Sequence, residues 1–435
     1  MSANAGQTKS VLDGLMKDVY SDESLESLTP DFAILKKLVK FDTANKIGRD
    51  FVKSVALTRE HGFSYGESLT VALEGIISSN VDDAKVRGAM MTLRAGWTYG
   101  AAHAMASDKG AFIDMTAHKF MCMMESAAFR LEAQMIHGSK GIFITDTEQD
   151  SPCTVAAGDN GNNYAVLPIN PLYWADGLAA GLENANLSFF LASDNTTANA
   201  RTGVDSTANK FQVISVDLSA KTVTVKCADA TNATNLVSDV ETYAYNVYFF
   251  GAKGTEMVGL RSIVANTGTL SGISGAAYST WCGNTSAVGT ANITLKKILT
   301  GVGRAVGRGL AEKALVLVNP QSFATMANDE AALRQYTAKT STGDRGVSKI
   351  EYVGSNGPIE VVAHPLIWES QAIAVPASKL SRIGTTDLTF GRPGSDEMLF
   401  DMQSYGGIEA RLFTDQAIFL PNPNHSVLFT GINNV

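Results

Sequence analysis

The stretch from Gly110 to Gly138, GAFIDMTAHKFMCMMESAAFRLEAQMIHG, has no proline and no glycine between its ends. Its Ala, Met, Leu, Glu and Gln content favours one uninterrupted α-helix, and at about 1.5 Å per residue that helix is a rod roughly 40 Å long. Phe112, Met115, Phe120, Met121, Met124, Ala128, Leu131 and Met135 spread around most of its circumference, so it needs cover on more than one side. Asp114, His118, Lys119, Glu125, Arg130 and Glu132 interrupt it well short of the ~20 apolar residues of a membrane span. The expectation is a buried structural spine. The helix alone leaves open that it is an ordinary core helix of an enzyme.

Around this rod lie 435 residues, more than one ordinary domain, which predicts two or three units. Hydrophobic residues make up 45% and charged ones 18%, a balance that buries a large core and is too apolar for disorder. The net charge of −8 argues against avid, sequence-independent binding to nucleic acid, which requires Lys and Arg to neutralise phosphates. The opening MSANAGQTKSVLDGLMKDVYSDES carries acids and no apolar signal core, so neither a secretory signal nor a transit peptide is expected, and assembly in a cytoplasm is. Cys122, Cys153, Cys227 and Cys282 lie far apart, and no His stands at metal-site spacing from another His or Cys. No disulfide framework, metal or cofactor is expected. The sequons beginning at Asn186, Asn195, Asn232, Asn284, Asn292 and Asn424 then signify only Asn/Thr-rich turns.

Residues 1–50 read as an arm. Val11, Leu12, Leu15, Met16 and Val19 form a short amphipathic segment, acidic SDESLES follows, and Leu28-Thr29-Pro30-Asp31 opens a helix with Phe32, Leu35, Leu38 and Val39 on one side. Helices this short cannot bury their faces alone and must pack on something else. Next, Phe51–Leu57 and the run Val86–Thr98 predict a long two-stranded excursion with an irregular tip around residues 66–84. A lone hairpin is marginal in water, so a long one implies a neighbour, unless it packs on its own domain. Residues 151–274 read as an inserted β-rich block, with a hairpin of Phe211–Asp217 and Lys221–Cys227, a strand at Tyr243–Phe250, and loop chemistry in DNTTANARTGVDSTAN and CADATNATN. Further on, Ile293–Leu310 is predicted helical, Ala314–Asn319 a buried strand and Pro320–Tyr336 a helix. Short strands follow at Ile359–Ala363, Ala372–Val375, Glu397–Met402 and Ile408–Phe413. The class is α+β.

Several motifs suggest chemistry. Thr300–Gly309, TGVGRAVGRG, looks like a dinucleotide loop, but such a loop works as the turn from a strand into a helix; here the glycines follow a helical run and the strand comes afterwards. Close helix packing or a kink explains them better. A thiol nucleophile at Cys282 with His364 as base lacks any helix N-terminus to activate it. Glu60, Glu67 and Glu74 are spaced by seven, yet they lie on the excursion and not in a cleft. Salt bridges between subunits fit them better, with Lys85, Arg87 or Arg94 as partners and Arg59 beside them as a further contact. His425 reads as a turn residue. No nucleophile, base and oxyanion set assembles, and no enzyme is expected.

Taken in order, LTPDFAILKKLVKFD, KIGRDFVKSVALTREHGFSYG, the spine, GTLSGISGAAYSTW, ALVLVNPQSFATMANDEAALRQY, IEVVAHPLIWESQAIAVPASKLSRIG and GGIEARLFTDQAIFLPNPNHSVLFTGI span the chain from about residue 28 onward. In that order and spacing the chain resembles the major capsid proteins of tailed bacteriophages, with the Hong Kong 97-type fold shared by encapsulins. The resemblance implies an N-terminal arm (1–50), an extended loop (51–98) and a peripheral domain with the spine (99–150). The inserted β-rich subdomain (151–274), a second peripheral segment (275–290), an axial domain (291–390) and strands returning to the peripheral domain (391–435) follow. It further implies hexamers and pentamers in an icosahedral shell, packaged double-stranded DNA contacted non-specifically, a scaffolding protein, a portal, and a decoration protein as a further partner, with no membrane involved. An encapsulin-like compartment shares the fold, and a nucleotide-dependent oxidoreductase resting on Gly301, Gly303 and Gly307 is the enzymatic rival.

Overall fold

The computed structural model describes residues 34–42, 50–65, 75–98, 115–147, 153–157, 163–193, 209–327, 349–354, 357–391, 398–402 and 406–434. It opens with a single helical turn, α1 (Ile34–Leu38), that buries Leu35. Strands β1 (Phe51–Ala56) and β2 (Val81–Val86) form an antiparallel ladder from Phe51↔Val86 to Ala56↔Val81. The expected second strand, Val86–Thr98, is therefore corrected: it breaks at Arg87-Gly88, and β3 (Ala89–Thr98) leaves the hairpin. β3 pairs instead over ten residues with 407–416 near the far end of the chain, Gln416↔Ala89 to Gly407↔Thr98. Gly88 permits the departure, since a Cβ there would lie 2.2 Å from Asp415 Oδ1. Along β3, Met91, Leu93 and Ala95 turn inward while Met90, Thr92 and Arg94 are exposed, the period-two signature of a half-buried strand.

The spine is α2 (Met115–His137), with residues 110–114 of the expected rod outside the described residues. Gly138, which follows it, sits at a close approach to a later segment of the same chain: a Cβ there would meet the Met257 carbonyl at 2.2 Å, and Gly259 N donates to Gly138 O at 3.0 Å. Met123, Ala127, Leu131, Ala133, Met135 and Ile136 are buried, on more than one side as its apolar circumference requires.

After the spine come β4 (Phe143–Ile144), β5 (Thr154–Ala157), β6 (Asn163–Pro168), α3 (Asp176–Ala179), β7 (Asn186–Leu191), β8 (Phe211–Asp217), β9 (Thr222–Cys227), α4 (Ala230–Thr242) and β10 (Tyr245–Phe249). Their strands make one seven-stranded sheet in the order β4-β10-β7-β8-β9-β6-β5. The β8–β9 hairpin is as predicted, its turn held by Asp217 Oδ1 accepting from Ser219 N and Ala220 N, both at 2.9 Å. The stretch CADATNATN is corrected from loop to the start of helix α4. Asp229 caps it by accepting from Asn232 N at 2.7 Å, and Ala233, Leu236, Val237 and Val240 recur at helical spacing to bury its inner face. The block is not walled off. Phe189, Phe211 and Val225 share one continuous core with Leu131 and Met135 of the spine and with Leu315 and Trp368.

The remaining helices are α5 (Leu260–Val264), α6 (Leu295–Gly307) and α7 (Pro320–Ala327). Residues 328–336 of the expected third helix lie outside the described residues. The strands are β11 (Thr269–Leu270), β12 (Ile273–Ser274), β13 (Thr285–Ala291), β14 (Ala314–Val318), β15 (Lys349–Gly354), β16 (Gly357–Ala363), β17 (Gln371–Pro376), β18 (Ser381–Phe390), β19 (Leu399–Asp401), β20 (Gly407–Phe419) and β21 (Val427–Ile432). A six-stranded sheet runs β13-β21-β17-β14-β16-β15, with β14, buried at every position, near its centre. A further sheet runs β18-β20-β19, with β3 on the other edge of β20. Ala410 and Leu412 of β20 pack on Met123 and Ala127 of the spine. β21 lies in the other sheet. Its apolar run Val427-Leu428-Phe429 is buried on both faces and enters the six-stranded sheet between β13 and β17.

Candidate assembly surface

The β1–β2 hairpin is rooted and then abandoned. At its root Leu57 and Ala84, with Phe51 and Val55 against them, pack on Ile273, Trp281 and Phe419, and the Phe51 and Phe419 rings meet edge-on at 5.5 Å. Beyond Leu57 the cover ends. Phe63 is 66% exposed, Tyr65 91% and Ile76 96%. Burying a side chain of this size is worth about 1.5–3 kcal/mol, and three of them are left in water here.

The charged residues singled out from the sequence divide. Arg59 and Glu60 are exposed on the hairpin beyond Leu57, and Lys85 is exposed on β2. Arg87 Nε donates to Asp50 Oδ1 at 3.0 Å, and Arg94 Nη2 donates to Glu409 Oε2 at 2.5 Å. Arg411 also donates to Glu409, and hydrogen bonds from Arg94 and then Arg411 hold that carboxyl below the usual range. Arg87 and Arg94 thus meet acids of their own chain and not Glu60. Glu67 and Glu74 lie outside the described residues.

A second group fixes the frame from which the hairpin projects, and sequence reasoning missed it. Glu132, fully buried, accepts from Leu35 N at 2.5 Å and Lys36 N at 3.0 Å, and pairs with His364 Nε2 at 2.9 Å. One carboxylate thereby joins the arm, the spine and the loop after β16. Arg382 on β18 holds the other end of the arm, donating to Val39 O at 2.8 Å and to Gln416 Oε1 at 2.9 Å. The only sequence sign was an acid, Glu132, set among apolar residues of the helix. Nearby, His137 stacks on Trp368 at 5.0 Å and its Nε2 lies 2.6 Å from Leu366 O. Burial pushes its pKa down to about 3, so it is neutral at ordinary pH. Arg261 also stacks on Trp368, 3.6 Å from the ring centroid, and burial lowers its pKa to about 10.

The other chemical motifs fall to structure. Gly301, Gly303 and Gly307 lie inside α6, not at a strand-to-helix turn. A Cβ on Gly301 would come 2.3 Å from Phe429 Cε1, so this glycine allows close helix–sheet packing, whereas Gly303 and Gly307 face open space. Cys282 Sγ contacts Asn266 O at 3.6 Å while His364 engages Glu132, so no thiol–imidazole pair is assembled. His425 sits in a 3-10 turn at Pro423–His425 and packs under Gly309. Among the described residues no three His, Cys, Asp or Glu side chains converge to hold a metal, and no helix is long and apolar enough to cross a membrane.

No protein-family model matches the sequence, and no curated protein sequence is similar to it. Structure supplies the relationship. The chain superposes on the capsid of a native GTA particle with a TM-score of 0.52 at 8% identity, covering 99% of this chain and 100% of that one. It superposes on the capsid asymmetric unit of cyanophage A-1(L) with a TM-score of 0.52 at 10% identity, covering 98% and 99%. A more distant match, with a TM-score of 0.45 at 7% identity, is the holo-SrpI encapsulin complex from Synechococcus elongatus PCC 7942. The fold is that of the tailed-phage capsid proteins, a mixed α/β chain of several sheets.

Proposed function

We propose that this chain is a major capsid protein that self-assembles, as hexamers and pentamers, into an icosahedral shell around a double-stranded DNA phage genome. The observation that carries the reading is end-to-end likeness to capsid-shell chains. A rooted hairpin whose Phe63, Tyr65 and Ile76 lie uncovered supports it. Obligate interfaces of about 2,000–5,000 Å² bury enough apolar surface to order such an excursion. In this reading the Hong Kong 97 parts are the arm, the extended loop, a peripheral domain on the spine and an axial domain over 291–390. The loop proper ends near Gly88, because β3 belongs to the sheet on the spine. Arg59, Glu60, Glu67, Glu74, Lys85, Arg87 and Arg94 are then contacts between subunits, with Arg87 and Arg94 preset by Asp50 and Glu409.

The role is structural and not enzymatic. A scaffolding protein, a portal and a decoration protein are the partners of such a shell, which assembles in the host cytoplasm and ends in the virion. A net charge of −8 suits a wall that encloses DNA without gripping it. The test is electron microscopy of the purified chain, with its scaffold where required: closed particles tens of nanometres across are expected by analogy with other shells of many copies. A stable monomer or dimer under every assembly condition would sink the reading. Particles that hold a host enzyme and no genome would turn it into the encapsulin-like one.

A further inference from the structure

A cavity of 370 Å³ lies where β3, the spine, the start of β7 and the end of β10 meet. Much of its wall is apolar, with Met91 and Leu93 from β3, Ala127 from the spine and Phe249 from β10. Arg130, Gln134 and Asn186 bring polar groups to the same lining. An apolar wall with a few placed polar groups is the composition of a small-molecule site, and the volume falls at the lower end of the roughly 300–1,000 Å³ that such sites span.

Arg130 sets the chemistry. Its guanidinium lies 3.1 Å from the centre of the Phe249 ring, and among the described residues no hydrogen bond or ion pair reaches it. Other arginines are matched: Arg87 meets Asp50, Arg94 and Arg411 meet Glu409, and Arg382 meets Asp387. Burial lowers the Arg130 pKa to about 10, and Glu256 offsets only part of that loss. Glu256 is the one acid of the lining among the described residues, and its Oε1 is committed to Ser139 N at 2.7 Å. Burial raises its own pKa to about 7, so near neutral pH it carries only part of a charge. A cation taken from water is stabilised by pairing, and the planar fork of a guanidinium matches a carboxylate through two parallel N–H···O bonds. Inorganic phosphate or sulfate would leave the apolar wall unused.

We infer that this cavity binds a small organic carboxylate, its anionic head on the Arg130 guanidinium and its apolar body against Met91, Leu93 and Ala127. The side-chain amides of Gln134 and Asn186 stand in the same lining as further donors to the head group. Because the walls come from β3, the spine and β10, a bound carboxylate ties the inserted block to the sheet on the spine, and it stabilises the folded chain in step with its occupancy. The site belongs to a single chain and stands apart from the shell reading.

The test titrates phenylbutyrate and phenylbutanol, which share a body and differ in the head group, into the full-length chain near neutral pH by calorimetry. Saturable binding of one carboxylate per chain is expected, weaker by about tenfold or more for the alcohol and for Arg130→Met. Glu256→Gln keeps an acceptor for Ser139 N and removes the competing charge, so it should bind phenylbutyrate several-fold more tightly. The carboxylate should also raise the unfolding midpoint of the native chain and leave that of Arg130→Met unchanged. No saturable binding, equal binding of acid and alcohol, undiminished binding by folded Arg130→Met, or looser binding by Glu256→Gln overturns the inference, and the first two require no variant to fold. Binding by the dispersed chain that disappears in assembled particles would make the cavity a contact between copies and overturns it as well.

Discussion

At the scale of single residues, Glu132 and His137 are two buried titratable groups held in opposite ways. Glu132 is satisfied by two amides and an imidazole, so removing the carboxylate strands buried donors. Glu132→Ala is expected to cost about 3 kcal/mol or more in a urea titration, and Glu132→Gln less because one acceptor oxygen remains. His137, with its pKa lowered from 6.5 to about 3 by burial first and by Arg261 second, binds its proton more readily in the unfolded chain. Stability therefore falls as pH drops from 6.5 toward 3. Glu256 acts in the other direction. Burial raises its pKa from 4.5 to about 7, so between those values acidification favours the folded state. The two oppose each other above pH 4.5, and below it the His137 contribution stands clear of Glu256. His137→Phe should flatten the acid limb of a stability–pH curve between pH 4.5 and 3. An unchanged slope would remove His137 from the account.

At the scale of elements, α6 offers a controlled comparison within one helix. Gly301→Ala drives a methyl into the Phe429 ring, and such overpacking costs about 1–3 kcal/mol. Gly303→Ala enters open space and should stabilise by roughly 0.5–1 kcal/mol through helix propensity alone. Chemical unfolding of the two variants should move in opposite directions. The elements also mark how far sequence reached. The spine, the β8–β9 hairpin and β14 were legible because each carries its own period or an unbroken apolar run. Helix α4 was not, because its Asn and Thr content mimics a loop while Asp229 and four spaced apolar residues set the helix. The pairing of β3 with β20 was illegible for another reason. Nothing local distinguishes a strand that continues a hairpin from one that meets residues 407–416. Glu132 was seen only as an interruption, since the amides it binds belong to α1.

At the scale of the whole molecule, the hairpin can be separated from the fold that carries it. Replacing residues 60–79 with a short turn leaves the β1–β2 ladder and its packing on Trp281 and Phe419 intact. The expected variant is folded, with an unchanged near-ultraviolet spectrum and unfolding midpoint, and fails to form particles by electron microscopy. Normal shells from that variant would show that the exposed Phe63, Tyr65 and Ile76 are not assembly contacts.

β20 has a consequence in time. It is the shared middle of its sheet, joined to β3 on one side and to β18 and β19 on the other. A ribosome that has finished β3 must still add more than three hundred residues before β20 follows it into solution. Until then the outer half of the spine has no sheet to lie on, and Met123 and Ala127 lack Ala410 and Leu412. A chain cut short anywhere upstream of residue 407 is thus marked by its own missing strand. Only products that extend through β20 carry the strand that pairs β3 and covers this part of the spine.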